Sequence, residues 1–125
     1  MTTAPPHILV ADDQAAILDA LSLMLRSGGY DVTGVHSPRR ALEAAQAATF
    51  DCVIVDLNYT RDTTSGQEGL DLIEALRATD ATLPIVVMTA FGSVDTAVAA
   101  MSRGARDFVE KPWNNEDLLA RLEKH

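Results

Sequence analysis

The sequence predicts an α/β fold, a (βα)5 doubly wound parallel sheet of five strands in three layers, and three observations carry that prediction. Short apolar runs rich in Val and Ile alternate five times with amphipathic helical patterns. The first, third and fourth runs are apolar at consecutive positions, as strands covered by helices on both faces are. The 125 residues fit one domain with a single core, and no internal repeat or low-complexity tract suggests another architecture.

The first strand is read at 7–11, "HILVA". Over 14–27, Ile17, Leu18, Leu21, Met24 and Leu25 share one helical face, and Gly28–Gly29 stops the helix. "DVTGV" (31–35) is the second strand. Ser37 and Pro38 then supply an N-cap and a first helical residue for a helix over 38–48. "CVIVDL" (52–57) is the third strand, and Leu70, Ile73 and Leu76 mark a third helix ending near Thr79. "PIVVMTA" (84–90) is the fourth strand. Ser93 caps a fourth helix that stops at Gly104, with Val94, Ala97, Val98 and Met101 as its expected buried stripe and Ala99 and Ala100 widening the apolar surface. "DFVEK" (107–111) is the fifth strand. Asn114, with Asp117 three residues on, opens a fifth helix that carries Leu118, Leu119 and Leu122 and runs to His125. Five such pairs in one short chain imply parallel strands joined by right-handed crossovers.

Composition narrows the function. The formal charge is −8, against unspecific nucleic-acid binding, which needs clustered Lys and Arg. Apolar residues make up 47% and charged residues 22%, the balance of a soluble globule. Cys52 is the single cysteine, so no internal disulfide forms and a reducing compartment is expected. The N-terminus lacks the basic and apolar regions of a signal peptide, and no apolar stretch approaches the length that spans a bilayer. The expected location is the cytoplasm, away from the membrane.

Ligands of open α/β sheets bind outside the carboxyl ends of the strands. The first strand delivers Asp12 and Asp13 there, the third Asp56, the fourth Thr89 and the fifth Lys111. Taken singly, each has an ordinary explanation: a helix cap, a turn, a packed methyl, a solvated amine. Three acids, a hydroxyl and an amine ending four strands of one sheet do not. Carboxylates 4 Å apart repel by roughly 4 kcal/mol per pair at an effective dielectric of 20, so such a cluster calls for a cation. Hard oxygen donors with open positions suit Mg²⁺, which keeps waters and binds phosphate oxygens. Lys111 offers a point charge for a phosphate and Thr89 a hydroxyl donor. Asp56, between the two groups, is then the best placed carboxylate to attack phosphorus and form an acyl phosphate.

"HILVADDQ", "CVIVDLN", "PIVVMTAFG" and "GARDFVEKPW" stand in the order and approximate spacing of a known family. Over essentially its full length, 1–125, the chain resembles the receiver domain of two-component response regulators. The resemblance implies a flavodoxin-like strand order 2-1-3-4-5 and a signalling switch, not a turnover enzyme, that assists its own phosphorylation and auto-dephosphorylation. It implies that Asp56 accepts a phosphoryl group from the phosphohistidine of a sensor histidine kinase. It further implies that Asp13 and Asp56 bind Mg²⁺ directly with the backbone carbonyl of Asn58, that Asp12 acts through water, and that Lys111 contacts the phosphoryl group. Thr89 would move to hydrogen-bond it, and Phe108, at the switch-aromatic position, would turn inward. The Lys111–Pro112 bond is cis in similar domains. "FGSVDTAVAAM" with "KPW" is similar to NtrC-like enhancer-binding transcription activators. Their output domains would lie beyond the chain given. A phosphorylation-dependent homodimer through the face formed by the fourth helix, fifth strand and fifth helix is the implied readout, with no direct nucleic-acid binding by this segment.

One departure stands out. The step from Asp56 to Gly69–Leu70 is longer than the family's usual spacing, through "NYTRDTTSGQ", which reads as a loop insertion over 59–68. Two other classes fit the sequence less well. A Mg²⁺-dependent aspartyl phosphatase of the haloacid-dehalogenase type needs a D-x-D nucleophile on the first strand, where this chain has adjacent Asp12–Asp13. A pseudo-receiver that binds without phosphorylation needs a missing site residue, and none is missing. No glycine-rich nucleotide fingerprint follows any strand.

Overall fold

A computed structural model describes residues 5–57, 67–90, 94–111 and 113–124. Strands β1 (His7–Ala11), β2 (Asp31–Val35), β3 (Cys52–Asp56), β4 (Ile85–Ala90) and β5 (Asp107–Lys111) alternate with helices α1 (Ala15–Ser27), α2 (Pro38–Ala47), α3 (Gln67–Thr79), α4 (Val94–Ser102) and α5 (Asn115–Lys124). All strand pairs are parallel, and the order is β2-β1-β3-β4-β5. That is the expected 2-1-3-4-5 sheet.

Local sequence explains the element ends. The Ser37 hydroxyl accepts the Arg40 N–H at 3.2 Å, and Pro38 follows it, so α2 starts where its N-cap predicts. At the end of α1, Gly28 donates to Met24 and Leu25, and Tyr30 donates back to the Leu25 carbonyl. Gly29 makes this closure with φ 96°, a left-handed conformation open to glycine at little cost. The Asn114 side chain accepts the Asp117 N–H at 3.0 Å and opens α5. The Ser93 cap expected for α4 lies outside the described residues. Gln67 and Glu68, read as the end of the inserted loop, belong instead to the first turn of α3.

Strand alternation divides the core in two. On one face, Leu9, Val53, Val55, Ile85 and Val87 pack with Ala41 of α2, Leu70, Ile73 and Leu76 of α3, and Ala100 of α4. On the other, Ile8, Val10, Cys52, Ile54, Val86, Met88 and Val109 pack with Leu18, Leu21 and Leu25 of α1 and Leu118 and Leu122 of α5. The three-layer arrangement follows. No helix of the described residues is long and apolar enough to cross a membrane.

α4 corrects the sequence reading. Ala97 and Ala100 are buried, whereas Val98 is 59% and Met101 40% exposed. The helix therefore lays its alanine side on the sheet and turns two larger apolar side chains to solvent. Hydrophobicity alone cannot distinguish the two sides of so apolar a helix. The short alanines allow the closer approach.

Candidate functional site

The same alternation aims the predicted site residues. Ile8 and Val10, Cys52 and Ile54, and Val109 face α1 and α5. The next same-face positions at the carboxyl ends of those strands are Asp12, Asp56 and Lys111. Asp12 stays in the sheet's bonding pattern, its N–H donating to the Val35 carbonyl at 3.1 Å. On the opposite face, Thr89 follows Ile85 and Val87, and Phe108 packs against that same cluster. Register sets Asp56 beside Met88 and Phe108 beside Val87. Thr89 is thus one residue beyond the Asp56 pairing, and Phe108 sits one pleat below Thr89.

One carboxylate oxygen each from Asp12, Asp13 and Asp56 lies within 4.8 Å of the others. Asp12 and Asp56 are each 1% exposed. Lys111 reaches both of these buried acids, its Nζ 3.2 Å from Asp12 Oδ2 and 3.1 Å from Asp56 Oδ1, with 18% of its side chain exposed. Among the described residues, Lys111 is the cation paired with this group of three carboxylates. Thr89 is fully buried, and its hydroxyl finds no hydrogen-bond partner among the described residues.

The ordinary explanations account for little of this. Asp12 Oδ1 accepts the Gln14 N–H at 2.9 Å, turning the chain toward α1, but the N-cap position itself is Gln14 and has no side-chain cap. Lys111 is drawn into the cluster, not left in solvent. Asn58 and Pro112, the expected carbonyl ligand and cis-peptide position, lie outside the described residues, as do 59–66. Sequence reasoning met Gly69 only as a spacing marker. A Cβ built there would stand 2.9 Å from Leu57 Cα and 3.1 Å from the Asp56 carbonyl oxygen, a contact with no signal in a single sequence.

The donor set fits a hard divalent cation. All three candidate ligands are carboxylate oxygens. Their spread is close to the about 4.2 Å that separates oxygens on opposite sides of Mg²⁺, at roughly 2.1 Å from the ion. Cys52, buried in β3, takes no part. Burial pushes its thiol up to about 12, which makes it an inert core residue at neutral pH.

Residues 8–123 match the response regulator receiver domain family. Among curated proteins, the chain is 37% identical over 121 residues to the transcriptional regulatory protein FixJ of Bradyrhizobium diazoefficiens, covering 97% of this chain and 57% of that protein. It is 36% identical over 124 residues to the transcriptional regulatory protein ZraR of Escherichia coli, covering 99% of this chain and 27% of that protein. The chain thus spans about half, or about a quarter, of the length of these relatives. Among solved structures, NtrX of Brucella abortus superposes with a TM-score of 0.88 at 29% identity, over 96% of this chain and 26% of that one. A response regulator from Burkholderia pseudomallei, solved with a phosphorylated aspartic acid and a calcium ion, superposes with a TM-score of 0.83 at 35% identity, over 94% of this chain and 66% of that one.

Proposed function

The chain belongs to the response regulator receiver domain family, and from that premise we propose that Asp56 is the phosphoacceptor of a switch charged by a sensor histidine kinase. Membership makes this a phosphorylation-dependent signalling domain and not a conventional turnover enzyme. The observation that carries the finer reading is the Lys111 ammonium set against the buried Asp56 carboxylate, with Asp12 and Asp13 beside it. The phosphorylated aspartic acid in the Burkholderia pseudomallei relative supports it.

A carboxylate oxygen of Asp56 attacks the phosphorus of the kinase's phosphohistidine. The P–O bond forms as the P–N bond breaks, and the imidazole nitrogen keeps the electron pair. Asp13, Asp56 and the carbonyl of Asn58 would hold Mg²⁺ directly, with Asp12 acting through water. The bound ion supplies charge neutralisation of the phosphoryl oxygens. Lys111, already at the cluster, pairs with a phosphoryl oxygen by a charge-assisted bond. In auto-dephosphorylation water attacks the phosphorus, the bond to the Asp56 carboxylate breaks with the electron pair kept by the carboxylate, and inorganic phosphate leaves.

The signal leaves on the opposite face. Thr89 donates its hydroxyl to the phosphoryl group, a bond to a charged oxygen worth about 1.5–3 kcal/mol. Its movement opens space one pleat above Phe108, which turns inward. Moving an equilibrium from 1:99 to 99:1 takes about 5.5 kcal/mol, so Lys111 and the ion contribute the remainder. The α4–β5–α5 face, where Val98 and Met101 are exposed, then pairs with a second copy. Relatives named as transcriptional regulatory proteins support transcription control by an output module as the downstream effect. The acidic segment itself is expected to act in the cytoplasm without touching nucleic acid.

Intact mass after incubation with Mg²⁺ and a small acyl-phosphate donor tests this reading. One added phosphoryl group, absent from Asp56→Asn, is the expected result. No adduct, or an adduct that survives Asp56→Asn, rejects it.

A further inference from the structure

Asp56 is the last residue of β3, so its side chain is only as well placed as the backbone that follows it. That backbone is held from two sides. Leu57 donates its N–H to the Met88 carbonyl of β4 at 3.0 Å, and its side chain is fully buried. From the other side comes Gly69 in the first turn of α3. A Cβ at Gly69 would stand 2.8 Å from Leu57 Cδ2, 2.9 Å from Leu57 Cα and 3.1 Å from the Asp56 carbonyl oxygen. Two of these three atoms are backbone and cannot swing aside as the end of a side chain can.

We propose that Gly69 is a positioning residue for phosphorylation: its missing Cβ lets α3 seat directly on the Asp56–Leu57 peptide and fixes the phosphoacceptor's carboxylate against Lys111. The inference rests on Asp56 being the phosphoacceptor. Leu57 and Gly69 lie against each other although they are far apart in the sequence, so the position of the Asp56 backbone is set by this clasp.

Another glycine supplies the control. A Cβ at Gly34 would stand 3.0–3.1 Å from atoms of the Leu18 side chain, where β2 meets α1, and no site residue is involved. Both substitutions to alanine crowd the fold, but only one crowds the phosphoacceptor's backbone. Alanine is also the better helix former, which favours survival of the fold in Gly69→Ala.

The experiment follows phosphorylation of the wild type, Gly69→Ala and Gly34→Ala by a small acyl-phosphate donor with intact mass, alongside the rise in unfolding temperature that Mg²⁺ produces without donor. Gly69→Ala is expected to slow phosphorylation about tenfold or more, since misplacing a reacting group by an ångström can cost on the order of a hundredfold. It is expected to shrink the Mg²⁺-induced rise as well. Gly34→Ala should keep both, whatever it loses in unfolding temperature. Leu57→Val withdraws Cδ2 without crowding and answers the question if Gly69→Ala does not fold: slowed loading supports the clasp, wild-type loading overturns it. Equal rates in Gly69→Ala and wild type overturn the inference while leaving Asp56 as phosphoacceptor. A wild type that takes no phosphoryl group overturns both.

Discussion

The ammonium nitrogen of Lys111 lies 3.1 Å from Oδ1 of Asp56, and the two residues come from strands that are not neighbours in the sheet. β4 stands between them and places Thr89 on the other face. Lys111 therefore spans a strand to neutralise a buried acid, and the same Nζ lies 3.2 Å from Asp12. Removing one partner of a buried ion pair typically costs about 3–5 kcal/mol, because the other charge is left uncompensated. Lys111→Met should lower the unfolding free energy by about 3 kcal/mol, toward the lower end because the lysine is partly exposed. Mg²⁺ should restore part of the loss, which chemical denaturation with and without the ion will read.

Asp13 is tested through the ion, because Asp13→Asn removes one of the three carboxylates of the candidate cation site. The same substitution should abolish the Mg²⁺-induced rise in unfolding temperature. In the wild type Mg²⁺ should add about 2.7 kcal/mol to the unfolding free energy when it stands at a hundred times its dissociation constant. A chelator should reverse it.

Thr89→Val separates stability from signalling. The buried hydroxyl has no partner among the described residues, and an isosteric methyl removes a desolvated polar group. The resting protein should become more stable by about 1 kcal/mol. Phosphorylation-dependent association, followed by sedimentation, should be lost.

Alkaline pH should destabilise the fold through Cys52. Its native thiol is pushed up to about 12 from an ordinary 9.0 by burial, so between those values the unfolded chain has released a proton that the native chain retains. Stability falls as pH rises through that window, by up to about 1.4 kcal/mol per pH unit. Tyr30 is also raised, first by burial and then by the Glu123 charge, and acts in the same direction. Cys52→Ala should flatten the fall, and a thiol reagent at pH 8 should label the wild type only after unfolding.

Most of this fold was legible because its signals are local. Apolar runs such as 52–57 identify buried strands, and Ser37–Pro38 and Asn114 mark helix starts. The acids, hydroxyl and amine are legible because each stands at the carboxyl end of a strand. α4 was misread at Val98 and Met101, because periodicity in an alanine-rich helix does not say which side approaches the sheet. The association face is therefore tested by Val98→Asp, at an exposed position, because Ala99 packs against the core. An exposed substitution of that kind should change stability by less than about 0.5 kcal/mol yet prevent phosphorylation-dependent pairing in sedimentation. The Gly69–Leu57 contact was illegible for another reason: it joins residues across a long connection and depends on an absent atom.

Locating the phosphoryl group tests the central claim most directly. Borohydride reduces an aspartyl phosphate to an alcohol, so peptide mapping of the phosphorylated, reduced protein marks the residue that carried it. Reduction confined to Asp56 is the predicted result. Reduction at Asp12 or Asp13, or none in protein that has gained the phosphoryl mass, would contradict Asp56 as the phosphoacceptor.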